Sequence, residues 1–199
     1  MKNAHANPLA GAAAGAIGGL VASWVMIQFN HVLGSNGVPE EERRRPHAYR
    51  RARAMPNESD ATIADEPGSR RAASAVAEAV TGRPLTESQK DVGGPIAHYL
   101  FGAVVGAVYG AAAEVKPDTT AGFGLPFGAT VWVTADEMGM PLLGLSEPPT
   151  DLPWSRHASS FGSHLVYGLV VEAVRRGFRG SHASRRDMPW WDTPMMNGE

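Results

Sequence analysis

The chain reads as an all-α protein, a small polytopic membrane bundle of four transmembrane helices with a polar loop between helices one and two. Three observations predict this. Two runs long enough to cross a bilayer carry no charge, glycine recurs every four residues inside the apolar runs, and the remaining charge gathers in one loop and one tail. The mean hydropathy of −0.19 hides this, because it averages segments suited to lipid with segments suited to water.

The first helix is expected over residues 8–34. Leu9 to Leu33 is free of Asp, Glu, Lys and Arg, and an α-helix of about 20 mainly apolar residues spans the hydrocarbon core. A signal peptide behind Lys2 is the competing reading. Such peptides have apolar regions of about 7–15 residues followed by a small-residue cleavage site, which is missing after Leu33. Residues 35–91 form a polar, Arg-rich loop holding Arg43, Arg44, Arg45, Arg50, Arg51 and Arg53, with a short amphipathic helix over Ala72 to Val80. The Arg cluster suits either an anionic-lipid contact or a solvated loop balanced by Glu40, Glu41 and Glu42, and the pattern favours the solvated loop.

Helices two to four are expected within 92–176. Val92 to Ala113 is charge-free, and Lys116-Pro117-Asp118 then turns the chain, because proline blocks helix continuation. The third run starts near Thr119, meets Asp136 and Glu137, and resumes as MGMPLLGL. The fourth, HASSFGSHLVYGLVV, lies between Arg156 and Glu172. Residues 177–199 make a polar tail, in which Trp190 and Trp191 suit a membrane interface. Lys and Arg divide nearly evenly between the two sides of such a bundle, so the positive-inside rule assigns no orientation.

Glycines mark the packing faces: Gly11, Gly15 and Gly19 in helix one, Gly102, Gly106 and Gly110 in helix two, Gly124 and Gly128 in helix three. In lipid, small residues four apart let backbones approach closely. In a water-soluble helix each would cost about 1 kcal/mol relative to alanine. The spacing does not say whether the contacts lie within one chain or between copies.

Ionisable residues continue these faces. His98 precedes Gly102 by four, Asp136 follows Gly124, Gly128 and Trp132 by fours, and His164, Gly168 and Glu172 line one face of helix four. In an up-down bundle His31, His98, Asp136 with Glu137, and His164 fall near one membrane side. A charge at mid-bilayer costs about 2.5–3.5 kcal/mol on insertion scales, so such groups turn inward and pair. His98, Asp136 and His164 are expected to converge, with Glu137 about 100° further round its helix. The cluster suits a structural polar knot, a proton- or ion-responsive site, a metal site with His31 as a further ligand, or a haem held by His98 and His164.

Composition narrows the function. With 18 Lys and Arg against 20 Asp and Glu the chain is no nucleic-acid binder, and with no Cys it has no thiolate chemistry. No nucleophile elbow, Walker loop, dinucleotide fingerprint or HExxH motif is present, and Ser160 and Ser163 near His157 and His164 read as packing residues. No catalytic residue is assigned. Asp151, Pro153 and Trp154 read as a rigid interfacial loop.

The stretches AHYLFGAVVGAVYGAAAEV, MPLLGLSEPPTDLPWSRH and FGSHLVYGLVVEAVRR resemble the YagU-like family of bacterial inner-membrane proteins of unknown function. The matching residues are His98, Pro141, Gly144, Pro148, Pro149, Asp151, Pro153, Trp154, His164, Glu172, Arg175 and Arg176. The resemblance covers roughly residues 92 to 176, and Asp136 stands where some members have His. It implies a multi-pass protein of the bacterial inner (plasma) membrane and brings no reaction, cofactor or catalytic residue with it.

The expectation is therefore a non-enzymatic integral membrane protein in contact with the lipid bilayer. It is either an accessory subunit of a larger complex, joined to other membrane subunits or to itself, or a proton/ion-responsive protein built on the buried His/Asp cluster. No cofactor is expected; a metal- or haem b-binding protein using His98 and His164 is the alternative.

Overall fold

Helix formation follows the apolar runs. The computed structural model describes residues 6–37 and 68–186, and side chains over 6–32 and 68–179. The Arg43–Arg53 cluster, Glu40 to Glu42, Trp190 and Trp191 lie outside the described residues. All regular structure among the described residues is helical.

Helix α1 spans Pro8–Gly37. Helix α2, Gly68–Thr81, is short and amphipathic. Helix α3, Glu87–Val115, starts five residues before the apolar run. Its start is set by a capping box in which Thr86 Oγ1 accepts from the Gln89 amide and Gln89 accepts from the Thr86 amide. Capping outweighs hydropathy in deciding where that helix begins. A 3-10 turn, Pro117–Thr120, and a reversal through Gly122, Phe123 and Gly124, all at positive φ, lead into α4, Leu125–Val131. Gly124 thus caps α4 from the left-handed region (φ 81°) rather than riding on it. The helix continues without a break as a π-helix, Trp132–Gly139, and a last turn, Met140–Leu142. A 3-10 turn, Pro149–Asp151, precedes α5, Trp154–Arg186, which runs ten residues beyond the family-like region.

Two of these helices, over Pro8–Val32 and Glu87–Val115, are long and apolar enough to cross a bilayer. They pack antiparallel along their glycines. A Cβ on Gly15 would overlap the Gly106 carbonyl, one on Gly19 the Gly102 carbonyl, and one on Gly110 the Gly11 carbonyl. A second seam joins α4 to α5, where a Cβ on Gly128 would strike the His164 carbonyl and one on Gly124 or Gly168 the other's carbonyl or neighbouring backbone. Helix α1 also lies against α5, with Gly18 on Val171 and Ser163 Oγ donating to Asn30. The glycine faces are therefore consumed inside one chain.

Helices α3 and α4 touch little along their length. They meet through Tyr109, whose ring stacks on Phe127 at 4.2 Å between centroids. Beyond that contact they diverge, and the space between them becomes a cavity.

The described bundle is apolar outside, and inside it packs a small apolar core around Tyr109, Tyr167 and Val171 beside a few buried polar groups. Its largest fully buried side chains are Glu172, Val171, Ser23 and Ser163, while Leu20, Trp24, Leu100, Val104 and Val108 stand exposed. In water so much exposed apolar surface would drive association; against lipid tails it is the expected outer face.

Candidate functional site

A cavity of about 620 Å³ opens at the end of the bundle where α1 finishes, α3 begins, the 132–142 stretch finishes and α5 begins. Helix α2 forms its roof through Gly68, Ser69 and Ala72. The size is that of pockets for small organic ligands, which run about 300–1,000 Å³.

His98, Asp136 and His164 all line it, from three different elements. His98 hydrogen-bonds the backbone of Ser23. In mid-helix the Ser23 amide is committed to the helix ladder, so its carbonyl accepts from Nδ1. Nε2 of His98 is buried and has no partner, and the same is true of Ser23 Oγ. Asp136 accepts a hydrogen bond from the Ser160 hydroxyl. The Ser160 carbonyl in turn accepts from His164 Nδ1 at 2.9 Å. Both imidazoles therefore hold their proton on the backbone side when neutral, leaving Nε2 of each as an acceptor.

The π-helix supplies this side of the site. Trp132–Gly139 shifts the register in which Asp136 and Glu137 leave the helix, and π segments recur at functional sites. Asp136 lines the large cavity and also a smaller polar pocket of about 190 Å³; Glu137 lines only the smaller one, with His157, Arg71, Arg156 and Glu147. Ser160 is shared as well, so Asp136 and Ser160 form the wall between the two spaces.

In the smaller pocket His157 Nδ1 meets Glu137 Oε1 at 2.7 Å and Nε2 meets the Pro149 carbonyl at 3.0 Å. Two acceptors are satisfied only by the doubly protonated ring. The Glu137 carboxylate, helped by the Pro149 carbonyl, holds the His157 proton affinity above its ordinary range. His157 sits in the first turn of α5, ahead of the apolar stretch, beside Trp154, which is 81% exposed. The contact pins the Pro149–Asp151 turn to the end of the π-helix.

The remaining residues expected at the site fall elsewhere. His31 is exposed and lines neither cavity. Glu172 lies toward the other end, where its carboxylate accepts from Arg175 Nε (2.8 Å), Arg176 Nε (2.5 Å) and the Tyr109 hydroxyl (3.0 Å). Glu114 joins the same network through Arg179 at 2.6 Å and Arg175 at 3.6 Å. Among the described residues no three His, Asp or Glu side chains are grouped to hold a metal ion. Asp151 and Pro153 are exposed in the loop ahead of α5.

Sequence reasoning missed the roles of Ser160, His157 and Glu114. Ser160 precedes His164 by four, one helical turn, which was the available signal for a shared face. The partners of His157 and Glu114 lie on other elements and left no local trace.

Residues 75–173 match a family described as "Protein of unknown function (DUF1440)". The chain is also similar to "Inner membrane protein YagU" of Escherichia coli (strain K12), 34% identical over 84 residues that make up 42% of this chain and 41% of that protein. The match thus spans less than half of that relative's length. No solved structure matches the chain.

Proposed function

This chain is a YagU-like family protein, and from that premise we propose that it is a multi-pass inner-membrane protein responding to protons or ions through the cavity lined by His98, Asp136 and His164. The family brings membrane residence and no reaction. The similar Escherichia coli protein is named for the inner membrane, and the apolar exterior of the described bundle suits lipid on its outer face.

The observation that carries the reading is the buried, unpartnered Nε2 of His98, on a side chain that lines one cavity together with a carboxylate and a second imidazole. An orphaned polar atom in a packed interior costs free energy unless it is used. A group of the chemistry of imidazole changes charge within the physiological range. The charged and titratable groups around it are His98 on α3, Asp136 on the π-helix, and His164 and Tyr167 on α5. Glu137, Glu147, Arg71, Arg156 and His157 sit behind Asp136 in the smaller pocket, while the described side chains of α1 contribute Ser23 and Met26. The route from the loop surface inward runs past His157 and Glu137 to Asp136 and Ser160, then to His164.

An accessory-subunit reading looks to the glycine faces for a partner's contact. Those faces are occupied by the chain's own helices, so a partner would meet the larger apolar side chains of α1 and α3. Metal or haem binding through His98 and His164 stands behind both.

The test is a pH titration of the histidine ring signals by NMR, on the full chain in lipid nanodiscs with ¹⁵N-labelled histidine. His98 and His164 are expected to titrate with coupled midpoints that move when Asp136→Asn removes the carboxylate. If His98→Ala and His164→Ala lower only the melting temperature and leave every other pH-dependent signal of the cavity in place, the pair is structural and the reading fails.

A further inference from the structure

We infer that the cavity of about 620 Å³ is a binding site for a small organic cation, a protonated amine on an apolar body. The inference deepens the functional reading above and rests on its assignment of the cavity as the working site.

The argument is one of hydrogen-bond polarity. Each polar group presented to the cavity by the cluster is an acceptor. Asp136 is a carboxylate, and the Ser160 hydroxyl bonded to it spends its proton there. His164 commits its Nδ1 proton to the Ser160 carbonyl, which leaves a lone pair at Nε2, and His98 commits its own to the Ser23 backbone, with its Nε2 buried in the wall and without a partner. Of the other hydroxyls in the wall, Tyr167 donates to the Gly102 carbonyl at 2.6 Å and Thr134 to the Thr130 carbonyl at 2.8 Å, while Ser69 in the roof keeps its own. Ser23 Oγ is buried in the wall and has no partner. A carboxylate and an imidazole lone pair in a mostly apolar wall are complementary to a ligand that carries N–H groups and a positive charge.

Charge and shape agree. Asp136 brings one negative charge to the wall, and its bonded partner is a neutral hydroxyl. The rest of the lining is apolar or aromatic, including Met26, Phe101, Val131, Met140 and Leu143. A bare metal ion fits poorly, because no three His, Asp or Glu groups among the described residues come together to chelate one and the volume far exceeds an ion's. An anion would be repelled by the Asp136 carboxylate. An ammonium group with an apolar body of drug-like size satisfies both halves of the lining.

The experiment uses the full chain in zwitterionic phosphatidylcholine nanodiscs. The probes are 2-naphthylmethylammonium and its neutral isostere 2-naphthylmethanol, followed by naphthyl fluorescence with empty discs subtracted. The amine is expected to bind saturably and the alcohol at least about tenfold more weakly. Asp136→Asn keeps the side-chain shape and is expected to weaken the amine about tenfold without changing the alcohol. Ala72→Phe, which puts a ring into the roof from α2, is expected to weaken both. Equal affinity for amine and alcohol, an amine affinity unchanged by both substitutions, or signal no greater than that of empty discs would overturn the inference. The histidine titration above is read on the same samples without probe. A coupled titration with no amine binding sinks the cation site alone, whereas amine binding with uncoupled histidines sinks the proton-responsive reading alone.

Discussion

A methyl group on Gly106 would fall inside the contact radius of the Gly15 carbonyl, and one on Gly15 would meet the Gly106 carbonyl. Gly106→Ala therefore forces two backbones apart, and overpacking of this kind costs about 1–3 kcal/mol. The expected outcome is a lowered unfolding midpoint on thermal denaturation in detergent. Gly177→Ala, where an added Cβ meets nothing within 4 Å, should instead raise the midpoint slightly, because alanine favours a helix over glycine by about 1 kcal/mol. At His157 the prediction concerns pH. Its proton affinity is raised in the folded chain above the ordinary value of 6.5. The stabilisation it lends is thus complete below about 6.5 and lost as pH rises through the higher folded value. Amide hydrogen exchange in Thr150–Leu152, corrected for intrinsic rate, should rise above that range, and Glu137→Gln should remove the pH dependence. The two cases differ in legibility. Glycine spacing is a local periodicity and could be read directly, whereas the His157 contact needs a carbonyl from Pro149 and a carboxylate carried round by a π-helix, both invisible to a pattern of apolar residues.

Helix α5 shows the same contrast on a larger scale. Its apolar run and its His164–Gly168–Glu172 face were legible, and the face splits between two ends of the bundle, with His164 at the cavity and Glu172 in the Arg cluster. Glu172 is fully buried, and Arg175 is 8% exposed. Removing one partner of a buried ion pair leaves the other uncompensated and costs about 3–5 kcal/mol. Glu172→Ala should therefore destabilise the protein strongly in thermal unfolding, and Glu172→Gln, which still accepts from the Tyr109 hydroxyl, by less. The element boundaries were the least legible part: α3 begins at its capping box and α4 begins only after three successive residues with positive φ. Hydropathy sees neither, because both are set by backbone geometry.

At the scale of the molecule, large apolar side chains stand exposed on α1 and α3 while Glu172, Arg175, Ser23 and Ser163 are buried. The four-crossing reading makes a test convenient, since the chain has no Cys. Arg83→Cys and Ser146→Cys should react with an impermeant maleimide from one side of sealed vesicles, and Asn7→Cys and Asp118→Cys from the other. A reversed or mixed pattern at any of the four would remove that topology. The sequence made the all-helical class legible, because it follows from spacing along continuous helices. It did not make the cavity legible, because that depends on α3 and α4 parting beyond Tyr109 and Phe127. The α1–α3 seam has a further consequence, for register. Gly11, Gly15 and Gly19 meet Gly110, Gly106 and Gly102 in order, like teeth of equal pitch. Sliding the helices by one or two residues sets alanine or larger side chains against carbonyls, so only a jump of one full tooth keeps any match. Such a jump toward the α3 N-terminus would bring Gly19 opposite His98 and push the imidazole out of its place against Ser23. The ladder is thus a ruler, and what it measures out is the depth at which His98 stands.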